Sequence, residues 1–408
     1  MRIIADLHIH SHFSRATSPE MGLPQFAHWA KIKGIDLLGT GDFTHPQWLG
    51  ILEENLAPQG NGLYNYNEAL FMLTSEISAV WKQGGKLRKV HLLILAPSIE
   101  KVSKINQQLA KLGNLSADGR PTFGASAKKL AEVVWGAAPD AEIIPAHIWT
   151  PWFSVFGSRS GFDSLEECFG EHMDRIFAIE TGLSSDPAMN WRCSALDRLT
   201  LVSNSDAHSP RKLGREATVF EVPEPGFAEI ITAMKKRDPA SLIETLEFFP
   251  QEGKYHYDGH RACKVVLSPA QAIANNNLCP VCGRPLTLGV LHRVVELADR
   301  GKGVKEEGRI PYRCLVPLEE IMAQALGIGT QTKGVRQEYE KMVRHFGSEF
   351  RILLDLTPQQ LQRFTPDKVL QGILRVREGN LDISPGYDGV YGKIEIPFEE
   401  EKQQPSLF

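Results

Sequence analysis

The feature that most constrains this chain is an alternation running through its first 250 residues. Apolar runs of four to six residues stand at 2–7, 35–40, 70–75, 90–96, 142–146, 176–179 and 199–203. Between them, 23–33, 99–112, 125–136 and 227–236 carry helical spacing. Short unbroken apolar runs are the mark of strands buried on both faces, and strands alternating with helices imply βα units. The expectation is an α/β domain with a mostly parallel sheet, open or closed into a barrel. Sites in such folds gather at the carboxyl ends of the strands.

Metal-capable side chains fall at those ends. His8 and His10 follow the first run, in Asp6-Leu7-His8-Ile9-His10, and an i, i+2 pair leaving a strand can converge on one point. Asp42 follows the second run, Glu76 the third, His147 the fifth, and Asp206 and His208 the last. His91 is the exception, near the start of its run, and demands a bulge or a different register. Any one of these is ordinarily a core histidine or a cap. Eight nitrogen and oxygen donors without a thiolate, placed in step with the strands, suit two or three divalent ions with a position left open for water.

Beyond residue 250 the chain changes character. His260-Arg261-Ala262-Cys263 stands upstream of Cys279-Pro280-Val281-Cys282-Gly283, a spacing that suits a closed tetrahedral zinc site of His260, Cys263, Cys279 and Cys282. His256 is an alternative to His260, and His292 a more distant one. Such a site is structural, because the metal supplies folding energy to a lobe with little core. Cys168, Cys193 and Cys314 lack partner motifs and read as packing residues. The net charge of −4 hides an asymmetry: Lys254 to Arg377 holds 19 Lys/Arg against 12 Asp/Glu. A basic segment behind an acidic metal-binding part suits a polyanionic partner. Helical periods at 318–326, 334–346, 358–364 and 366–375 follow. Gly327-Ile328-Gly329-Thr330-Gln331-Thr332-Lys333 lacks the G-x4-G-K-[ST] arrangement, so no ATP motor is expected.

The domains read as 1–250 catalytic, 251–318 zinc-binding, 319–398 mainly helical and 399–408 a tail. No leader or membrane-length apolar run is expected, and six cysteines in 408 residues suit a cytoplasmic protein rather than a disulfide scaffold.

The quoted residues carry a resemblance. Asp6-Leu7-His8-Ile9-His10-Ser11, Thr74-Ser75-Glu76, Val90-His91-Leu92 and Ser205-Asp206-Ala207-His208 resemble the polymerase and histidinol phosphatase (PHP) metal-dependent phosphoesterases. Phe13-Ser14-Arg15-Ala16-Thr17-Ser18, Thr40-Gly41-Asp42-Phe43-Thr44-His45-Pro46, His147-Ile148-Trp149-Thr150-Pro151-Trp152-Phe153 and Glu180-Thr181-Gly182-Leu183-Ser184-Ser185-Asp186-Pro187 are similar to the endonuclease Q group within it. The resemblance implies a distorted (β/α)7 barrel with a two- or three-ion centre of Zn, Mg or Mn. It further implies nicking of DNA 5′ to deaminated bases (hypoxanthine, uracil, xanthine) or abasic sites.

Two departures from the wider family stand out. Arg15 occupies a usual aspartate position, where it would hold a phosphate rather than a cation. Gly41-Asp42-Phe43 replaces Thr-Asp-His, which would put Asp42 in the histidine's place and favours two ions. Trp149, Trp152 and Phe153, with Arg159 beyond them, crowd aromatics beside His147 and read as a substrate-binding loop able to stack an extruded base. The alternatives are a small-molecule phosphatase of histidinol-phosphate type, which has no use for a zinc lobe or basic segment, and a non-catalytic DNA- or clamp-binding module, which has no use for eight ligands.

Gln404-Pro405-Ser406-Leu407-Phe408 resembles the short peptides that dock on bacterial sliding clamps, with Leu and Phe filling a pocket at the end of a charged tail. Deleting Leu407 and Phe408 is expected to abolish co-elution with the clamp on gel filtration; retained co-elution would show an ordinary frayed end.

Overall fold

The computed structural model describes residues 1–303 and 308–398; the clamp-like peptide 404–408 lies outside them. A twisted sheet wraps into a distorted barrel. Across it run Tyr312–Cys314, Leu242–Glu247, Ala217–Glu221, Arg2–Asp6, Leu37–Gly39, Ala69–Gln83, Lys86–Ala96 and Glu142–Pro145. The parallel pair Ala178–Glu180 and Thr200–Val202 completes the ring. It is stitched on one side by Ile148 N–H to the Glu180 carbonyl (2.9 Å) and on the other by Leu7 N–H to Asn204 Oδ1 (2.7 Å).

Both faces of the strands are covered. Ile3, Ala5, Leu37, Met72, Leu93 and Ile144 meet in one buried cluster, while Ile4, Leu38, Phe71, Leu92 and Ile143 pack into another. That two-sided burial is why the strands read as continuous apolar runs. Helix Leu23–Lys33 keeps its expected limits: Pro24 opens it, and Gly34 ends it in the left-handed region (φ +83°). Helix Phe227–Lys236 also keeps its limits.

The sheet is mixed rather than mostly parallel. Arg2–Asp6, Leu37–Gly39 and Ala69–Gln83 run parallel, but Lys86–Ala96 is antiparallel to both of its neighbours, and Arg2–Asp6 is antiparallel to Ala217–Glu221. The cause is local. The expected short strand at 70–75 continues to Gln83 and turns at Gly84-Gly85, both in the left-handed region, to pair back from Lys86. Two glycines joining strands in this way make the tight turn whose twist matches a hairpin. Reversal also resolves the anomaly of His91: in an antiparallel strand it is the early residues that reach the site end of the barrel.

The zinc lobe is small. Asp258–His260 pairs with Val265–Leu267, helix Pro269–Ala274 follows, and the buried apolar core amounts to Ala272, Cys279 and Leu286. Strand Tyr312–Cys314, within the segment expected to belong to this lobe, instead joins the edge of the barrel sheet. The helices Leu318–Leu326, Lys333–Phe346, Pro358–Gln362 and Asp367–Glu378 share a separate core. That unit docks on the barrel through buried Lys33–Glu349 (2.6 Å) and through Arg2–Asp355 (2.6 Å). Tyr339 Oη also donates to Glu349 at 2.6 Å, so the buried carboxylate is fully engaged. No described helix is long and apolar enough to cross a membrane.

Candidate metal centre

The hairpin register sets the heart of the site. Ser78 lies opposite His91 and Glu76 opposite Leu93, so Glu76 and His91 sit diagonally on one face. His91 Nδ1 comes within 2.6 Å of Glu76 Oε1. On the far side of the same strand, Ala146 N–H bonds to the His91 carbonyl (3.1 Å), which brings His147 alongside; its Nε2 is 3.0 Å from Glu76 Oε1. The other Glu76 oxygen, Oε2, faces His10 Nε2 at 3.4 Å and His8 Nε2 at 3.6 Å. Asp206 Oδ1 stands 3.0 Å from His10 Nε2 and 3.6 Å from His208 Nδ1.

Three groups of donor atoms result: Glu76, His91 and His147; His8, His10 and Glu76; and His10, Asp206 and His208. Glu76 belongs to two of them, one oxygen to each, and so would be available to an ion in either group.

The rear nitrogens are held as ligand imidazoles require. His8 Nδ1 lies 3.0 Å from both oxygens of Glu180, and Glu180 is itself fixed by Asn204 Nδ2 (2.9 Å) and by the His147 N–H (2.8 Å). His10 Nδ1 donates to Asp42 Oδ1 (3.0 Å), and His147 Nδ1 pairs with Thr150 Oγ1 (3.1 Å). His8 Nε2 is fully buried and has no hydrogen-bond partner among the described residues. A buried nitrogen left so, its ring fixed from behind and its lone pair aimed at carboxylates, fits a cation. The electrostatics agree. Burial disfavours charge on His8, yet Glu180 and Glu76 outweigh it and hold its pKa well above the usual value. Burial likewise opposes ionisation of Glu76, but His91, Arg120 and His8 keep it well below the usual range. The pocket is negative and calls for positive charge.

Asp42, expected in a histidine's place among the ligands, stands apart from the three groups. It lies behind His10, with Oδ2 accepting from Ser11 N–H, Ser11 Oγ and Ser14 Oγ at 2.7, 2.7 and 2.9 Å, and belongs to none of the three groups. Its carboxylate is used up in orienting an imidazole. Asp42 (φ +51°), His147 (φ +30°) and Asp206 (φ +47°) all occupy the left-handed region, a strained backbone that clusters at functional sites.

The aromatic loop divides. Trp149 is buried at 1% exposure, bonded through Nε1 to Asn190 Oδ1 (2.7 Å) and tilted against Phe156; it packs in the core. Trp152 is 53% exposed, and Phe153 tilts over the His91 ring at 4.5 Å. The ammonium of Lys89 lies 5.5 and 5.0 Å from their rings. The loop is bonded to the strand carrying His91 where Glu142–Pro145 no longer pairs with it: Lys89 N–H reaches the Ser160 carbonyl (3.2 Å), and His91 N–H the Phe153 carbonyl (3.0 Å). Arg159 is exposed, with its N–H on the Pro151 carbonyl (3.1 Å). Arg15 is exposed too and pairs with Asp118 (3.3 Å).

Glu180, Asn204 and Arg120, whose guanidinium is 3.0 Å from Glu76, are site residues that spacing does not single out. Glu180 does end a strand, which was the available signal; Arg120 lies in a loop without periodicity.

In the zinc lobe, His260, Cys263, Cys279 and Cys282 converge, with His260 Nδ1 3.4 Å from Cys282 Sγ. Burial works against a Cys279 thiolate, but the N–H groups of Cys282 and Val281 bring its pKa down to about 6, the state a metal needs. His256 is buried outside this group against Tyr257, and His292 pairs with Asp258 (2.6 Å). Several basic residues of the segment serve structure: Arg293 binds Asp163 and the Phe156 carbonyl, Arg300 and Arg309 pair with Asp197, and Arg313 with Glu244.

A barrel of strands whose ends deliver imidazoles and carboxylates to one cation-seeking pocket defines a metal-dependent phosphoesterase of the PHP class. Residues 192–239 match the family described as PHP-associated, and residues 317–380 the one described as MJ0043 C-terminal domain. Protein YqxK of Bacillus subtilis (strain 168) is 30% identical over 375 residues, 89% of each chain. The lesion-specific endonuclease PfuEndoQ of Pyrococcus furiosus superposes with a TM-score of 0.88 at 35% identity, over 97% of this chain and 96% of that one. Endonuclease Q in complex with a 27-mer duplex substrate bearing an abasic lesion gives 0.85 at 35% identity, over 97% of both. The chain belongs to the endonuclease Q family.

With Asp42 behind His10, Asp42→Asn is expected to weaken divalent-ion affinity about 10- to 100-fold while leaving the number of ions bound unchanged in a titration. Loss of one equivalent would make Asp42 a ligand after all.

Proposed function

We propose that this protein is a DNA-repair endonuclease that hydrolyses the phosphodiester on the 5′ side of deaminated bases (hypoxanthine, uracil, xanthine) and of abasic sites. The observation that carries the reading is the match, over 97% of both chains, to Endonuclease Q holding a duplex with an abasic lesion at its active site. His8, His10, Glu76, His91, His147, Asp206 and His208 would hold two divalent ions, with Glu76 between them; the group around His208 allows a third. Imidazole-rich donors favour Zn²⁺ or Mn²⁺ over Mg²⁺. Such ions, when bound, lower the pKa of water and neutralise the phosphoryl oxygens.

The chain's own residues do the rest. Glu180 and Asp42 keep the His8 and His10 rings from turning, and Asn204 keeps Glu180 from turning. Trp152 and Phe153 offer aromatic faces at the rim for a base taken out of the stack, with Lys89 beside them for the backbone. Arg15, exposed and paired with Asp118 at 3.3 Å, would exchange that partner for a flanking phosphate. Cys263, Cys279 and Cys282 with His260 would bind one structural zinc, and six cysteines outside any disulfide suit the cytoplasm.

A 5′-labelled duplex with one hypoxanthine, incubated with Mn²⁺ and run on a denaturing gel, is expected to show a single product ending at the nucleotide before the lesion. The undamaged duplex and histidinol phosphate should remain intact. Release of phosphate from histidinol phosphate without a nick would instead make this a small-molecule phosphatase.

Trp152→Ala is expected to lower lesion cleavage about tenfold or more, as loss of one stacking contact implies, with an unchanged melting temperature. Equal loss on lesion-bearing and base-free phosphodiesters would remove Trp152 from base recognition.

A further inference from the structure

One cation is already built into the cluster. The Arg120 side chain is 23% exposed, and its Nη1 lies 3.0 Å from Glu76 Oε2, the same oxygen that faces His8 and His10. A group of carboxylates and imidazoles shaped for metal ions gains nothing as a metal site from a fixed positive charge. A guanidinium on that carboxylate competes for its oxygen and repels an incoming ion.

The loop that carries Arg120 is nevertheless made to put it there. Gly119 packs against the base of the site so closely that a Cβ would lie 2.4 Å from Asp42 Oδ2 and 2.5 Å from Ser14 Oγ. Its N–H donates to the Phe13 carbonyl (2.9 Å), and its carbonyl accepts from Thr44 Oγ1 (3.2 Å). Asp118 Oδ1 accepts the Arg120 N–H at 3.1 Å. The segment is thus fastened to the stretch that bears His10 and to the stretch that bears Asp42, and Arg120 has little freedom to leave.

We infer that Arg120 is a catalytic residue that grips the scissile phosphate. Its planar fork, bonded to Glu76 through one nitrogen, would meet two non-bridging oxygens of the phosphodiester, where negative charge accumulates as the bond breaks. Arg120 keeps its protons throughout. Water supplies the new P–O bond and the proton for the departing oxygen. Arg15, 80% exposed, is far more solvated and cannot match this grip. The inference rests on the phosphoesterase reading of the site and is independent of which base is recognised.

The test uses the full-length protein, passed over chelating resin to clear the barrel cluster, with zinc measured to confirm that the cysteine site stays filled. Arg120→Gln is expected to bind Mn²⁺ about tenfold more tightly in a calorimetric titration, because a competing charge within hydrogen-bonding distance is gone. The same variant should hydrolyse bis(4-nitrophenyl) phosphate with kcat reduced about 100-fold at saturating Mn²⁺, and Arg120→Lys should recover part of the loss. Unchanged or weaker Mn²⁺ binding, with a lower melting temperature, would make Arg120 only a brace for Glu76. Tighter Mn²⁺ binding with hydrolysis intact would remove it from the phosphate. The probe has no base, so failure of the lesion reading would leave this result standing.

Discussion

Everything at this site depends on one buried carboxylate, Glu76, sharing its two oxygens between two sets of imidazoles. A fully buried carboxylate is tolerable only where positive charge surrounds it. Glu76 draws that charge from three strands, from the loop bearing Arg120 and, in the working enzyme, from metal. The surrounding layer exists to keep this arrangement rigid. Glu180, Asp42 and Thr150 each hold the back of an imidazole, so the front nitrogens converge without choosing among rotamers. A cluster fixed this way is organised for its ions before they arrive.

How far this could be seen in the sequence varies by element. Strands buried on both faces announce themselves as apolar runs, and helices such as Leu23–Lys33 carry their own stop signals, so the α/β alternation was legible. Strand direction was not. Nothing in the runs at 70–75 and 90–96 says that they belong to one long hairpin; only Gly84-Gly85 hints at it, across a polar stretch that reads as a loop. The misplaced expectation for His91 follows directly, since a parallel strand would put it at the wrong end.

The candidate site was legible in the same uneven way. Histidines and carboxylates that end strands could be gathered by position, because burial of the preceding run fixes where the chain emerges. Which of them face the cluster and which stand behind it depends on side-chain direction. Asp42 and Glu180 are both carboxylates at strand ends, and both turn out to orient a histidine. Trp149 and Trp152 are three residues apart in one loop, yet one is core and the other exposed. Arg120 depends on a loop whose course is dictated by contacts distant in sequence.

The Lys86–Ala96 strand carries a ligand on one face and supports the aromatic loop along its edge, so His91 and Phe153 are joined by a single peptide hydrogen bond as well as by their rings. A shift of the loop would therefore pass straight to His91, and from its ring to Glu76 at 2.6 Å, with no other side chain between them.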